Sequence, residues 1–433
     1  DYIDRAAKNN TKIKYIFETH FHADFVSGHV TLAEKTGAEI VFGPSAKTNY
    51  KATIAIDNQV FKVGDITITV LHTPGHTMES SCFLLKDKEG KDHAIFSGDT
   101  LFLGDVGRPD LAQKGVFTEK DLAGFLFDSL RNKVMLLADD VIVYPAHGAG
   151  SACGKNLSKE TVGSIGHQKE TNYALRANMT KEEFVKELTD GLLPPPAYFP
   201  LNVKLNKEGY KSVEEIIKTS AKPLSIKDFE LIANETEAII LVVRHQTEFV
   251  KGFIPQSIFI GIDGGFAPWV GALIKDIEQP ILLVTPKGKE ADTIIRLSRV
   301  GFDNILGYLD GGLENWKKEG KEAESLESIS ADQFAAQVEK DGRKIFDVRK
   351  PGEWDTEHLP DAENTSLGEL NNHLAEFPKE DKFYIHCAGG YRSVIAASIL
   401  KSRGIHNMID VKGGFDAIKK TEMKTSTFVC PNS

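Results

Sequence analysis

Long apolar runs are missing from this chain. The most extended stretches, such as Ala238 to Val243, fall far short of the roughly 20 residues that cross a bilayer, so no membrane partner is expected. An excess of positive charge is missing too. The 52 Lys and Arg stand against 62 Asp and Glu, and the net charge of −10 disfavours general affinity for nucleic acid or anionic lipid. Cysteine is scarce. The four, at 82, 153, 387 and 430, show no paired spacing, and neither a signal peptide nor a transit segment opens the sequence, which implies a reducing, cytoplasmic setting. The first residue is Asp1 rather than Met, so a leader trimmed from this end is compatible with the same residues.

What is present is enough chain for two to four domains: 433 residues at roughly 100 to 200 per domain, with an ordinary 41% apolar content. Between residues 12 and 147, short β-rich runs alternate with polar helical stretches. Lys12 to Phe17, Glu39 to Phe42, Ile66 to Leu71, Ala94 to Phe96 and Val141 to Tyr144 read as strands, giving an α/β layered fold. Thr118 and Asp121 have capping-box spacing ahead of Leu122, Phe125, Leu126 and Leu130, which predicts a helix from Thr118. The run Pro194, Pro195, Pro196 resists helix and places a boundary near 200 to 225.

Beyond it the chain repeats itself. Val242, Val243, Arg244 through Pro255 align with Asp347, Val348, Arg349 through Pro360, a period of about 105 residues that is the size of a small domain. Expected domains are therefore 1–215, 222–325 and 328–433. The two copies differ where chemistry would sit: Thr285 lies opposite Cys387, Glu290 opposite Arg392, Val242 opposite Asp347 and Phe253 opposite His358. The first copy has lost these polar groups together, so packing or docking suits it better than catalysis, and it offers a surface for a homo-oligomer.

Four strand exits carry metal-type side chains. THFHADFVSGH supplies His20, His22 and Asp24, LHTPGHT supplies His76, FSGDT supplies Asp99 and YPAHG supplies His147. Imidazole and carboxylate suit first-row divalent ions, and a lone His of this kind would be an ordinary core residue, whereas an ordered set at four strand ends points to a metal. This pattern resembles the metallo-β-lactamase superfamily, whose fold is an αββα sandwich. Hydrolases of that superfamily, glyoxalase II among them, usually read HxHxDH and hold two zinc-type ions. Here the position after Asp24 is Phe25.

That departure resembles the persulfide dioxygenase branch. The resemblance implies one Fe(II) per chain on His20, His76 and Asp99, with His22, Asp24 and His147 lining the site or serving an alternative second ion. Two His and one carboxylate leave coordination positions open for substrate sulfur and O₂. GDVGRPDL, at 104 to 111, also looks like that branch and implies that Arg108 meets the thiol substrate while Asp110 holds Arg108. The other reading of this segment is an exposed turn. Cys153 resembles a cysteine-bearing loop of bacterial fusions, and is either a sulfur relay or a buried inert thiol. Members of the superfamily normally carry a strand hairpin ahead of the HxHxD motif, and only 19 residues precede His20, so one sheet is expected to be short of strands.

Cys387 follows the apparent strand Phe383 to His386 and opens CAGGYRS. Cys387, Ala388, Gly389, Gly390 and Tyr391, then Arg392 and Ser393, run into the helical Val394 to Leu400, which aims backbone N–H groups at the sulfur and favours thiolate or persulfide. Four residues separate Cys387 from Arg392, one fewer than in cysteine phosphatases. With DVR at 347 to 349 the region resembles a tandem rhodanese, inactive copy first. Cys430 reads as a loose tail residue.

The resemblances together imply a persulfide dioxygenase joined to a sulfurtransferase. Its small-molecule partners would be a low-molecular-weight thiol persulfide, O₂, and sulfite or thiosulfate. The alternatives are a dinuclear-zinc thioester hydrolase with an attached sulfurtransferase, and a non-catalytic sulfur carrier or docking module.

Overall fold

Alternation along single strands explains the layering of the first 212 residues. In the strand Glu39–Phe42, Ile40 and Phe42 pack with Ile16, Phe21 and Ala46 on one side, while Val41 packs with Phe61, Val70 and Phe83 on the other. Ser81–Lys86 behaves likewise: Phe83 turns to that shared core, and Cys82 and Leu84 turn to a cluster with Leu122's neighbours Ala123 and Leu126. A strand whose two faces are both apolar needs cover on both, and the result is two facing sheets with helices outside each.

The computed structural model describes residues 1–111, 116–155, 157–192 and 194–426, so Cys430 lies outside the described residues. The chain forms two compact units, Asp1–Ser212 and Val213–Ser433. In the first, β1 (Tyr15–Glu18), β2 (Glu39–Phe42) and β3 (Thr53–Ile54) pair in parallel, in that order. The second sheet has the order β4 (Val60–Val63), β5 (Ile66–His72), β6 (Ser81–Lys86), β7 (Asp92–Gly98), β8 (Ile142–Pro145), β9 (Gly163–Ser164). The first of these strands starts three residues later than the run Lys12 to Phe17 suggests, because its ladder with β2 begins at the pair Tyr15 and Glu39. The helix Glu119–Ser129 has the capping box at Thr118 and Asp121 that its spacing predicts.

The second unit contains two five-stranded parallel sheets of one topology. The first has the order β10 (Pro223–Leu224), β14 (Ile305–Leu309), β13 (Ile281–Val284), β11 (Ile239–Val242), β12 (Ile258–Phe259). The other has the order β15 (Ser328–Ile329), β19 (Met408–Val411), β18 (Phe383–His386), β16 (Ile345–Asp347), β17 (Ala362–Asn364). Adding five to each strand number of the first gives the second, so the internal repeat of the sequence is a repeat of fold. Among the described residues, no helix is long and apolar enough to cross a membrane.

Candidate metal centre and thiol loop

Each ligand-type side chain of the first unit leaves the end of a strand. His20, His22 and Asp24 follow β1, His76 follows β5, Asp99 follows β7 and His147 follows β8. The donor atoms of His20, His76 and Asp99 all lie within 4.8 Å of one another, and so do those of His22, Asp24 and His147. His76 Nε2 is 3.3 Å and His20 Nε2 3.7 Å from Asp99 Oδ2, and His147 Nε2 is 3.5 Å from Asp99 Oδ1. Asp99 therefore stands between the two triads.

The residues fit a divalent cation. Both carboxylate oxygens of Asp99, with Asp24 Oδ1, His22 Nδ1 and His147 Nε2, are buried without a hydrogen-bond partner, which is costly unless something positive lies among them. Burial drives His20 well below the ordinary histidine range and His22 down to about 4, keeping both imidazoles neutral, the form that binds metal. Backbone and hydroxyl groups fix the rings. The His76 Nδ1–H donates to the Arg108 carbonyl at 2.7 Å, and His20 Nδ1 meets Thr19 Oγ1 at 2.9 Å, which directs each Nε2 toward Asp99.

The 104–110 turn can approach this closely because of Gly107, where a Cβ would fall 2.1 Å from the Asp99 carbonyl and 3.0 Å from His76 Nδ1. Arg108 is buried and bound side-on by Asp110, at 2.6 Å through Nε and 2.5 Å through Nη2. Its turn is thus not an exposed one. Cys153 is also buried, with its donor atom in a cluster with those of Asp99 and His147, and burial, followed by the carboxylates of Asp99 and Asp24, pushes its thiol up. Phe25 occupies the remaining side: its ring stacks on His22, centroids 4.4 Å apart, and faces His147 at 6.4 Å.

Sequence reasoning passed over the helix Phe199–Glu208. From it Asn206 donates Nδ2 to the carbonyls of His22 and Phe25, each at 2.8 Å, and accepts from Ser27 N at 2.8 Å, so one carboxamide pins the ligand loop. Nothing local marks it, because its partners are about 180 residues away in sequence.

In the second unit Cys387 lies at the end of β18, almost fully buried, and accepts a hydrogen bond from the Gly390 N–H at 3.1 Å. Gly390 holds φ +90° and opens the helix Tyr391–Ser402. The Cys387 carbonyl accepts from Phe415 N and that of Ala388 from Asp416 N, which ties the loop to the Gly413 turn, while Gly389 faces solvent. Ser393 donates to Asp410 at 2.7 Å. Arg392 does not stand alone beside the sulfur: Glu353 binds it bidentately at 2.5 and 2.7 Å. Glu353 carries no role in the sequence reading, and only folding brings helix Pro351–Thr356 to the loop. Tyr391 reaches the first copy, its hydroxyl donating to the Gly261 carbonyl at 2.7 Å.

Comparison with known proteins agrees with these two constructions. Residues 3–147 match the metallo-beta-lactamase superfamily model, and residues 225–319 and 330–421 each match the rhodanese-like domain model. The chain is a metallo-beta-lactamase domain followed by two rhodanese domains. A solved metallo-beta-lactamase from Staphylococcus aureus is 29% identical and superposes with a TM-score of 0.61, covering 71% of this chain and 87% of that one. A probable hydroxyacylglutathione hydrolase of Schizosaccharomyces pombe is 31% identical over 144 residues, 33% of this chain and 52% of that protein. The ETHE1 structure from Myxococcus xanthus is 28% identical with a TM-score of 0.40, covering 48% of this chain and 81% of that one. The chain spans about half the length of the curated relatives it matches.

Proposed function

We propose that the first unit is an iron-dependent persulfide dioxygenase and that Cys387 of the second transfers sulfane sulfur, in the reducing cytoplasm. Persulfide, dioxygen and water would give thiol, sulfite and two protons. The observation that carries this reading is Phe25, whose ring stacks on His22 where a hydrolase of this superfamily offers a further imidazole. His20, His76 and Asp99 would hold the ion, which supplies a Lewis-acidic, redox-active centre with open positions. Around it, Arg108 fixes the His76 ring through its carbonyl, and its guanidinium, oriented by Asp110, gives a substrate carboxylate a buried positive partner. Phe25 lays an apolar ring against His22, and Asn206 pins the loop that carries both.

For sulfur transfer, the Cys387 thiolate attacks the outer sulfur of thiosulfate or a persulfide. The donor S–S bond breaks, sulfite or thiolate leaves with the electron pair, and the new persulfide on Cys387 then passes its outer sulfur to an acceptor. Gly390 N–H stabilises the anionic sulfur throughout.

A second reading has support of its own. The donor atoms of His22, Asp24 and His147 converge as closely as those of the first triad, and the Schizosaccharomyces pombe relative is named a hydroxyacylglutathione hydrolase. Metal analysis of anaerobically purified protein, with oxygen uptake on glutathione persulfide, separates the two. One iron per chain and oxygen consumption are expected; two zinc ions per chain with thioester hydrolysis would sink the dioxygenase reading.

A further inference from the structure

A buried carboxamide in the first unit has no partner. Asn202 is fully buried, and neither its Nδ2 nor its Oδ1 makes a hydrogen bond. Leaving both unsatisfied opposes folding, and a leucine of similar size would not carry that cost. Its neighbours on the helix Phe199–Glu208 show what it faces. Residues four apart share a helix face, so Asn202 lies on one stripe with Tyr198 and Asn206. Asn206 grips the loop from His22 to Ser27. Tyr198, at the other end, is buried close enough to Asp24 and Cys153 for both to act on its hydroxyl after burial itself. On that stripe Asn202 stands between the end that grips the ligand loop, at Asn206, and the end near Asp24 and Cys153, at Tyr198. The other unpartnered buried atoms around the ligand loop, on His22, Asp24, His29, Asp99 and His147, belong to imidazoles and carboxylates. A carboxamide is a poor addition to that set, but its adjoining donor and acceptor complement a peptide-type amide, which offers one N–H and one C=O.

We propose that Asn202 is a substrate-binding residue that recognises an amide of the low-molecular-weight thiol carrying the sulfur, through a donor and an acceptor bond made together. The inference rests on reading the first unit as a site for a thiol carrier, and it holds whether the reaction there is oxygenation or thioester hydrolysis. Arg108 and Asn202 then share the work: the guanidinium takes a carboxylate, and the carboxamide takes an amide.

The test compares the metal-loaded full chain with its Asn202→Leu variant. Thermal unfolding, metal content and calorimetric binding of reduced glutathione and reduced coenzyme A, both amide-bearing thiols, are measured. The expected result is an unfolding midpoint equal to or above that of the parent, unchanged metal content, and a Kd about tenfold weaker for whichever thiol the parent binds. Asn202→Ala, which leaves room for water, gives the same comparison if the leucine variant does not fold. A lowered midpoint with unchanged Kd means that Asn202 holds a structural water and overturns the proposal, as does failure of both thiols to bind the parent. Loss of thiol affinity in a protein that consumes no oxygen with glutathione persulfide removes the dioxygenase reading and leaves the role of Asn202 standing.

Discussion

The two rhodanese copies share a topology and differ in what lies at the end of the central strand. In the second, Cys387 follows β18, and the Gly390 N–H points at its sulfur. In the first, Thr285 follows β13, and the matching Gly288 N–H donates instead to the Glu290 carboxylate at 3.1 Å. The arginines below tell the same story. Arg349 is bound by Asp347 through Nε and Nη2 and donates to the Glu357 carbonyl. Arg244 keeps the equivalent carbonyl contact, to Gly252, but faces Val242 in place of the acid, and its Nε is buried without a partner. Ser393 and Asp410 pair in the second copy, whereas the corresponding β14 position is Tyr308. These differences leave the sheet of the first copy intact, because the strand cores are apolar in both.

Three changes test that contrast. The largest effect is expected from Cys387→Ser, which makes the second copy resemble the first: sulfur transfer from thiosulfate should vanish while oxygen uptake with preformed persulfide persists. Surviving transfer would identify another nucleophile. Next, Asp347→Val reproduces the first copy's pairing and leaves a buried guanidinium without its carboxylate, so denaturant unfolding of the second unit should show a loss of about 3 to 5 kcal/mol. A change under about 1 kcal/mol would mean that Arg349 finds another partner, as Arg244 has in part.

The smallest of the three concerns Asp410. Burial, only partly offset by hydroxyl bonds from Ser393 and Ser328, pushes its carboxyl up to about 6. The folded state therefore holds this proton more tightly than the unfolded chain does. Its contribution is greatest at and below about pH 4 and is lost as pH rises through about 6, with a span of roughly 3 kcal/mol. Asp410→Asn should flatten the stability profile of the second unit over that interval. An unchanged slope would assign the titration elsewhere.

The legible parts of this protein are those with local signals. The Thr118 capping box, the alternation in Glu39 to Phe42 and the repeat joining Val242 to Asp347 depend on neighbours or on comparison within the chain, and each has its counterpart in the structure. Asn206, Glu353 and Tyr391 were illegible as contacts for the opposite reason. Glu353 meets Arg392 across 39 residues and Tyr391 meets Gly261 across 130, and no periodicity encodes such a distance. The face of the first copy at Gly261 and Gly264 is covered in part by Tyr391: a Cβ on Gly264 would come within 2.3 Å of that ring.

The sequence by itself determined the kinds of groups available: six His and Asp side chains placed after strands, a thiol followed by glycines, and a Phe after Asp24. Strand exits gather at one edge of a sheet, so such residues converge whatever the details of packing. Only tertiary structure decided which atoms meet. It set Asp99 between two triads, turned Phe25 onto His22, bound Arg392 to Glu353 and left Asn202 buried without a partner. Hydrogen bonds and ring contacts act over a few ångströms in directions fixed by rotamer and burial, and those are properties of the packed chain rather than of residue order.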